Sequence, residues 1–286
     1  MEVNVNWMDP VWRDWLLTWP LLLFFFAIGQ ELRIEASRHT DRRHLIAPIA
    51  AAAGGMLIPA LTYLALSHFT DAPREAWGIP MATDLPFVLI ALALFPTRIQ
   101  KRLRIFLLTL AIADDIGSIL VLGVVTSSQG GIHPTILGTI LGLAWGARGY
   151  AIMKKIAYYF ILPIFLAASF STTFIFTWNS ISNPLVWQLI VARIVGKPIG
   201  IALGALLGYV LLRMAHEHAM RLKLRELIIA GLIATFGLDV ALIFANVALH
   251  SPAEKSLAIM GIVLTIPVSI VGVFFARYFL TRATAA

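Results

Sequence analysis

Nine stretches of roughly 15–30 mostly apolar residues, separated by short polar loops, set the main limit on what this chain can become. They cover residues 15–30, 44–69, 77–95, 105–126, 131–147, 156–178, 184–212, 226–249 and 257–275. A segment of about 20 apolar residues spans the bilayer core as a helix. Only 13% of the residues are charged, against about 25% in soluble domains. The expectation is an all-α integral membrane protein with nine transmembrane helices, the first and fifth of them short.

The loops carry a second, independent signal. Seventeen of the 22 basic residues fall in alternate loops, around Arg33–Arg43, Arg98–Arg104, Arg148–Lys155, Arg213–Arg225 and Arg277–Arg282. The opposite loops hold Arg13, Arg74 and Lys255, and only Arg193 and Lys197 lie within a span. Basic loops stay in the cytoplasm, so the N-terminus is expected outside and the C-terminus inside. The net charge of +7 then marks loops and gives no reason to expect nucleic acid. The chain has no cysteine, which excludes disulfides, thiol catalysis and Cys-ligated iron–sulfur centres. The start, Met1–Asp14, lacks the basic region of a cleavable signal, so the first span is expected to be retained. With no linker or low-complexity tract, residues 1–286 read as a single transport domain.

Six acidic or basic residues sit inside these spans away from their ends: Asp84, Asp114, Asp115, Arg193, Lys197 and Asp239. Unpaired, they would cost on the order of 15–20 kcal/mol by insertion scales. They must pair, face water or change protonation. Asp114 and Asp115 are adjacent and point about 100° apart on a helix. One is placed to meet Asp84 at a cation site while its neighbour orients water, the ion or a basic group. Facing carboxylates do not all stay ionised when no cation is present. One then holds a proton until a cation displaces it, and that competition is the physical basis of antiport. Asp84 follows Gly78-Ile-Pro-Met-Ala-Thr83 and precedes Leu85-Pro86. Two prolines six residues apart disfavour continuous helix there, and freed carbonyls can line an ion cavity. Lys197, in Val195-Gly196-Lys197-Pro198, needs a carboxylate partner or loses its proton.

An inverted repeat is also readable. Spans two to four and seven to nine share one order: a long helix, a discontinuous helix with a central Asp (Asp84 or Asp239), and a further helix. The units start five spans apart and therefore enter the membrane in opposite directions. Such repeats, with discontinuous helices meeting at mid-membrane, mark secondary transporters rather than enzymes. The second interruption, Phe236-Gly237-Leu238-Asp239, lacks proline.

These residues resemble the NhaA family of sodium/proton antiporters, a type example of the inverted-repeat architecture. The likeness covers nearly the whole chain. It is carried by Gly78–Asp84, by Phe106-Leu-Leu-Thr-Leu-Ala-Ile-Ala-Asp-Asp-Ile-Gly117, by Gly196-Lys-Pro-Ile-Gly200 and by Ile28-Gly-Gln-Glu-Leu-Arg33. The resemblance implies that Asp114 and Asp115 are the family's aspartate pair, the second being the principal ligand of a transient Na+ or Li+. It implies that Thr83 and Asp84 belong to the first discontinuous helix, that Lys197 pairs with Asp114, and that Glu31 takes part in pH regulation. The core would comprise residues 44–126 and 184–275, and the scaffold 15–30, 131–147 and 156–178. The expected activity is export of Na+ or Li+ against H+ across a bacterial plasma membrane, with no cofactor, serving sodium and pH homeostasis.

The departures are specific. The family usually has twelve helices. This chain begins where the second would start and has no room between Val125 and Gly131 for two more. The omissions fall on the scaffold, which supports dimerisation in the family, so a homodimer would be weakened. Arg193 and Asp239 stand where the family is usually uncharged and are expected to compensate each other. Two other readings compete: a sodium-coupled organic-anion carrier of similar fold, and an intramembrane aspartyl protease. The adjacent Asp pair argues against the first. For the second, Phe236 and Leu238 occupy the places of the glycines in the protease Gly-x-Gly-Asp motif.

Overall fold

The computed structural model describes residues 2–3, 9–38, 43–83, 88, 91, 97–127, 134–170, 174–175, 178–214 and 222–283. Helices dominate it: α1 (Pro10–Arg38), α2 (Arg43–Ser67), α3 (Thr97–Ser127), α4 (Pro134–Trp145), α5 (Tyr150–Phe170), α6 (184–214), α7 (Leu224–Ile233), α8 (Asp239–Ala248) and α9 (Pro252–Ala283). Between α2 and α3 runs a 3₁₀ segment, Arg74–Met81. Glu2–Val3 pairs antiparallel with Phe174–Ile175 in a minimal two-stranded contact. Among the described residues, five stretches are long and apolar enough to cross a membrane: Leu45–Ser67, Leu103–Gly123, Tyr150–Phe170, Pro184–Arg213 and Pro252–Phe275.

Several boundaries differ from the sequence expectation, for physical reasons. α1 and α3 extend past their apolar runs, so Arg33 and Arg98 lie on helix rather than in loops. α5 starts at Tyr150, six residues before the expected 156, and ends at Phe170 rather than 178. Lys154 and Lys155 are carried in its first turns, where long basic side chains lay their stems on the helix and keep their charges at its end. α4 has 12 residues, or about 18 Å of helix, less than the hydrocarbon thickness. Of the basic loop Arg213–Arg225, residues 215–221, with His216 and His218, lie outside the described residues.

Two glycine seams set the helix pairing. A Cβ on Gly54 of α2 would lie 2.2 Å from the Gly200 carbonyl of α6, and one on Gly204 would lie 2.2 Å from the Ala50 carbonyl. Real Cβ atoms do not come that close, so only glycine permits α2 and α6 to touch backbone to backbone. The same device joins α1 to α4, where a Cβ on Gly142 would lie 2.1 Å from the Phe26 carbonyl. Small residues at such seams are how membrane helices gain van der Waals contact when burial from water does not drive them together. One buried apolar cluster crosses between these pairs, with Phe24, Phe25 and Ile28 of α1 meeting Ile119 and Leu122 of α3 and Phe244 of α8. A second gathers Leu103, Leu107 and Leu110 of α3 with Ile201 and Ala205 of α6 and Ile229 and Ile233 of α7.

Candidate functional site

Two interruptions of helix meet in the interior. The first is the end of the 3₁₀ segment: Gly78, Ile79, Pro80 and Met81 are buried, and Ala82 turns to extended backbone at φ −62°, ψ 145°. Its entry side is anchored by Tyr63, whose hydroxyl donates to the Pro73 carbonyl at 2.7 Å, and by Gln188 of α6, whose amide donates to Thr70. The second separates α7 from α8. Ala234 and Thr235 form a turn, and residues 236–238 are non-helical before helix resumes at Asp239. Thr235 donates to Ser269 of α9 at 2.7 Å, and Ser269 donates to the Thr265 carbonyl at 2.8 Å.

The interruptions touch directly. A Cβ on Gly237 would lie 2.3 Å from the Ala82 carbonyl. Thr83, buried, donates its hydroxyl to the Ala234 carbonyl at 3.2 Å. Each segment therefore meets the other where its own helix has ended and its carbonyls lack intrahelical partners.

α6 supplies the cation. Pro198 has no amide to return to Ile194, and the helix widens into a π-turn at Ala192–Gly196 just before Lys197. Lys197 is fully buried. Its Nζ donates to the carbonyls of Met81 and Ala82, the latter at 2.7 Å, and to Asp114 Oδ2 at 3.3 Å. Asp114 and Lys197 side chains are each 1% exposed. The other carboxylate oxygen, Asp114 Oδ1, is buried and has no hydrogen-bond partner among the described residues. A buried carboxylate oxygen without a donor is costly, and it is an open acceptor for a cation or a proton.

Asp115 faces elsewhere, as adjacent positions on a helix require. It is partly exposed and lines a cleft with Ser118, Leu122, Phe25, Ile28 and Val240. The cleft lies between α1, α3 and α8, beside a buried pair on the neighbouring face of the same helix. Among the described residues no three His, Cys, Asp or Glu side chains come together. The oxygens gathered around Lys197 belong instead to the Asp114 carboxylate, the Thr83 hydroxyl and backbone carbonyls, the donor type that hard cations take, with the Asp115 carboxylate on the adjoining face of α3.

The structure thus brings together Thr83, Asp114 and Lys197, with Asp115 one residue away. Asp84 lies outside the described residues. Asp239 begins α8, but its side chain is outside the described part, so its expected partnership with Arg193 is not visible. Arg193 itself is buried against the Gly237 and Ile79 carbonyls and Thr265. Glu31 lies in a separate cluster. It pairs with Lys154 of α5 at 2.8 Å, and Lys154 also donates to the Tyr150 hydroxyl. Beside it, buried Gln30 donates to the carbonyls of Gly146 and Arg148 at 2.7 and 2.8 Å. That turn passes through positive φ at Gly146 (74°) and Gly149 (70°), a conformation glycine adopts without strain. Sequence reasoning missed Lys154, Gln30 and Thr265. Only Gln30 carried a signal, a polar residue at the end of an apolar run.

Comparison with known proteins gives a consistent result. The sequence model of the family described as Na+/H+ antiporter 1 matches residues 3–129 and 125–276. The match divides at 125–129, where two helices were expected to be missing. The chain is similar to a Na+/H+ antiporter NhaA 2 of Frankia alni, 32% identical over 302 residues, spanning 84% of this chain and 61% of the relative. It is similar to the Na+/H+ antiporter NhaA of Escherichia coli, 27% identical over 88% of this chain and 77% of the relative. Over 40% of its length it is 46% identical to a Na+/H+ antiporter NhaA 2 of Sorangium cellulosum, covering 25% of that protein. The chain therefore spans about three-fifths of the Frankia relative and about three-quarters of the Escherichia one.

Proposed function

The chain belongs to the Na+/H+ antiporter 1 family, and from that premise we propose that it is a secondary transporter exchanging Na+ or Li+ for H+. The observation that carries the reading is the Asp114–Lys197 pair, buried against the carbonyls of one interruption while Asp114 Oδ1 lacks a donor among the described residues. A proton taken from outside is held by one carboxylate of the Asp84, Asp114 and Asp115 group. A cation arriving from the cytoplasm displaces it and is coordinated by Asp115 with help from Asp114, Asp84 and Thr83. Lys197 holds Asp114 in place through both states. The coupled carboxylates titrate as one unit, so the number of protons exchanged belongs to the group and not to one residue. No step requires a resident cofactor.

Nine crossings follow if the five long spans are joined by the apolar helices Leu22–Glu31 and Ile136–Trp145 and by the two interrupted segments. The basic loops then favour an outside N-terminus and a cytoplasmic C-terminus in a bacterial plasma membrane. The seam joining α2 to α6 supports a rigid core, residues 44–126 and 184–275. The seam joining α1 to α4 supports a separate scaffold within one transport domain. In this reading the core rocks against the scaffold to alternate access. Arg193 and Asp239 compensate each other's charge, Glu31 tunes the pH response, and a homodimer is weakened by the reduced scaffold.

The test is exchange in proteoliposomes with Na+, Li+ and K+ across pH. Proton movement driven by Na+ or Li+ supports the assignment. Absence of cation-driven proton movement at every pH overturns it.

A further inference from the structure

Lys197 is not the only cation serving the crossing. Arg193 sits on the π-turn Ala192–Gly196 and is 1% exposed. One guanidinium nitrogen donates to the Gly237 carbonyl at 2.6 Å and to Thr265 Oγ1 at 3.3 Å; the other donates to the Ile79 carbonyl at 3.0 Å. One planar group thus takes a carbonyl from each interruption. Ile79 is in the last turn of the 3₁₀ segment, and Gly237 is in the non-helical stretch between α7 and α8. These are groups whose intrahelical partners the interruptions remove, and leaving them bare inside a membrane is costly.

The Ile79 carbonyl also lies at a helical C-terminus, the end that carries partial negative charge. A fixed cation is favoured there, and so is a mobile one. In this structure Arg193 occupies the Ile79 and Gly237 carbonyls. That leaves the Asp114 carboxylate of α3, which Lys197 joins to Ala82 three residues further along the first segment, as the open acceptor. The shape of the guanidinium matters as much as its charge. Its donors diverge in a rigid plane and reach two separated carbonyls, whereas a lysine ammonium is a compact point on a flexible stem.

Building on the transport reading, we propose that Arg193 is a positioning residue of the ion site. It clamps the two interrupted segments together so that Ala82 and Thr83 are held beside Asp114 and Lys197, and it keeps the transported cation off the Ile79 and Gly237 carbonyls. A purely electrostatic role would act in the opposite direction. Removing a neighbouring positive charge would by itself make a cation site bind more tightly.

Arg193→Lys and Arg193→Gln in the full chain separate the two roles. Each is reconstituted and assayed for Na+-driven proton movement, and each is probed by amide hydrogen exchange. The clamp predicts that both variants raise the Na+ concentration for half-maximal rate by about fivefold or more, the scale of one lost buried hydrogen bond. The maximal rate changes less. Exchange in residues 76–83 and 234–240 speeds up together, while 45–65 in α2 is unchanged. Wild-type Na+ dependence and exchange in Arg193→Lys would overturn the clamp, because charge alone then suffices. A lowered Na+ requirement in Arg193→Gln would overturn it too. Should neither variant fold, Thr265→Val removes one guanidinium partner and keeps the charge. Faster exchange at 234–240 with a raised Na+ requirement supports the clamp, and no change in either contradicts it. Amide exchange needs no transport, so it judges the clamp even where the wild-type chain moves no protons.

Discussion

Lys197 Nζ lies 3.3 Å from Asp114 Oδ2 while it also donates to the Met81 and Ala82 carbonyls. The lysine therefore joins an ion pair to a helix end. Its removal strands a buried carboxylate and two carbonyls at once, and breaking a buried pair from one side costs about 3–5 kcal/mol. Lys197→Met is expected to lower unfolding stability by that order in detergent. Asp114→Asn combined with Lys197→Met is expected to lose less than the two single losses added, by roughly 0.5–3 kcal/mol of coupling. Thermal or denaturant unfolding of the four proteins measures this, and strict additivity would dissolve the pair as an energetic unit.

Gly237 offers a steric test of the crossing. Gly237→Ala places a methyl 2.3 Å from the Ala82 carbonyl and must push the interruptions apart. The Na+-driven exchange rate is expected to fall by about tenfold or more, as for angstrom-scale displacement of a site. Gly272→Ala is the control, because its methyl meets nothing closer than Leu232 Cδ2 at 3.5 Å. Equal rates in the two variants would mean that the backbone contact at Gly237 is not needed for transport.

The Glu31–Lys154 pair is half-exposed on the lysine side, with side-chain exposures of 44% and 19%. Exposed pairs contribute about 1 kcal/mol or less, so Glu31→Gln is expected to leave the melting temperature nearly unchanged. Gln30→Ala strands two carbonyls beside it and is expected to cost about 1–3 kcal/mol. With Glu31 as a regulator, Glu31→Gln displaces the pH at which exchange reaches half its maximum. An unmoved pH profile in a stable variant would assign the pair to packing alone.

What was legible in the sequence was what lipid makes costly. Asp114, Asp115, Arg193 and Lys197 stood out because charges in apolar runs need a reason, and Gly78–Pro86 stood out because proline removes donors. The gap between α7 and α8 has no proline. Contacts from elsewhere hold it: Ala82 against Gly237, Ser269 with Thr235, and the Arg193 guanidinium on the Gly237 carbonyl. That gap was nonetheless legible at Phe236–Asp239; what was hidden were partners far apart in the chain. Glu31 reads as a neighbour of Arg33, yet residues two apart point to different sides of a helix, and its ion pair comes from α5. Lys154 and Lys155 read as loop markers and turned out to be helical, which moved the start of α5.

Competition between proton and cation for one set of carboxylates has a fixed sign. As pH falls, protons occupy the site, and the Na+ concentration for half-maximal exchange rises, by about tenfold per pH unit for one competing proton. Well above the carboxylates' titration it becomes independent of pH. Na+ titrations of the wild-type chain at a series of pH values check this. A half-maximal concentration that stays constant throughout would exclude shared occupancy.

The central claim rests on Asp115 as the principal cation ligand beside the buried Asp114–Lys197 pair. Its most direct test is Na+-driven proton movement in proteoliposomes carrying Asp115→Asn, matched to wild type for protein content and melting temperature. The asparagine keeps the size of the side chain and removes its charge. The account predicts that exchange is abolished at every pH while the protein remains folded. Exchange at the wild-type rate would contradict it.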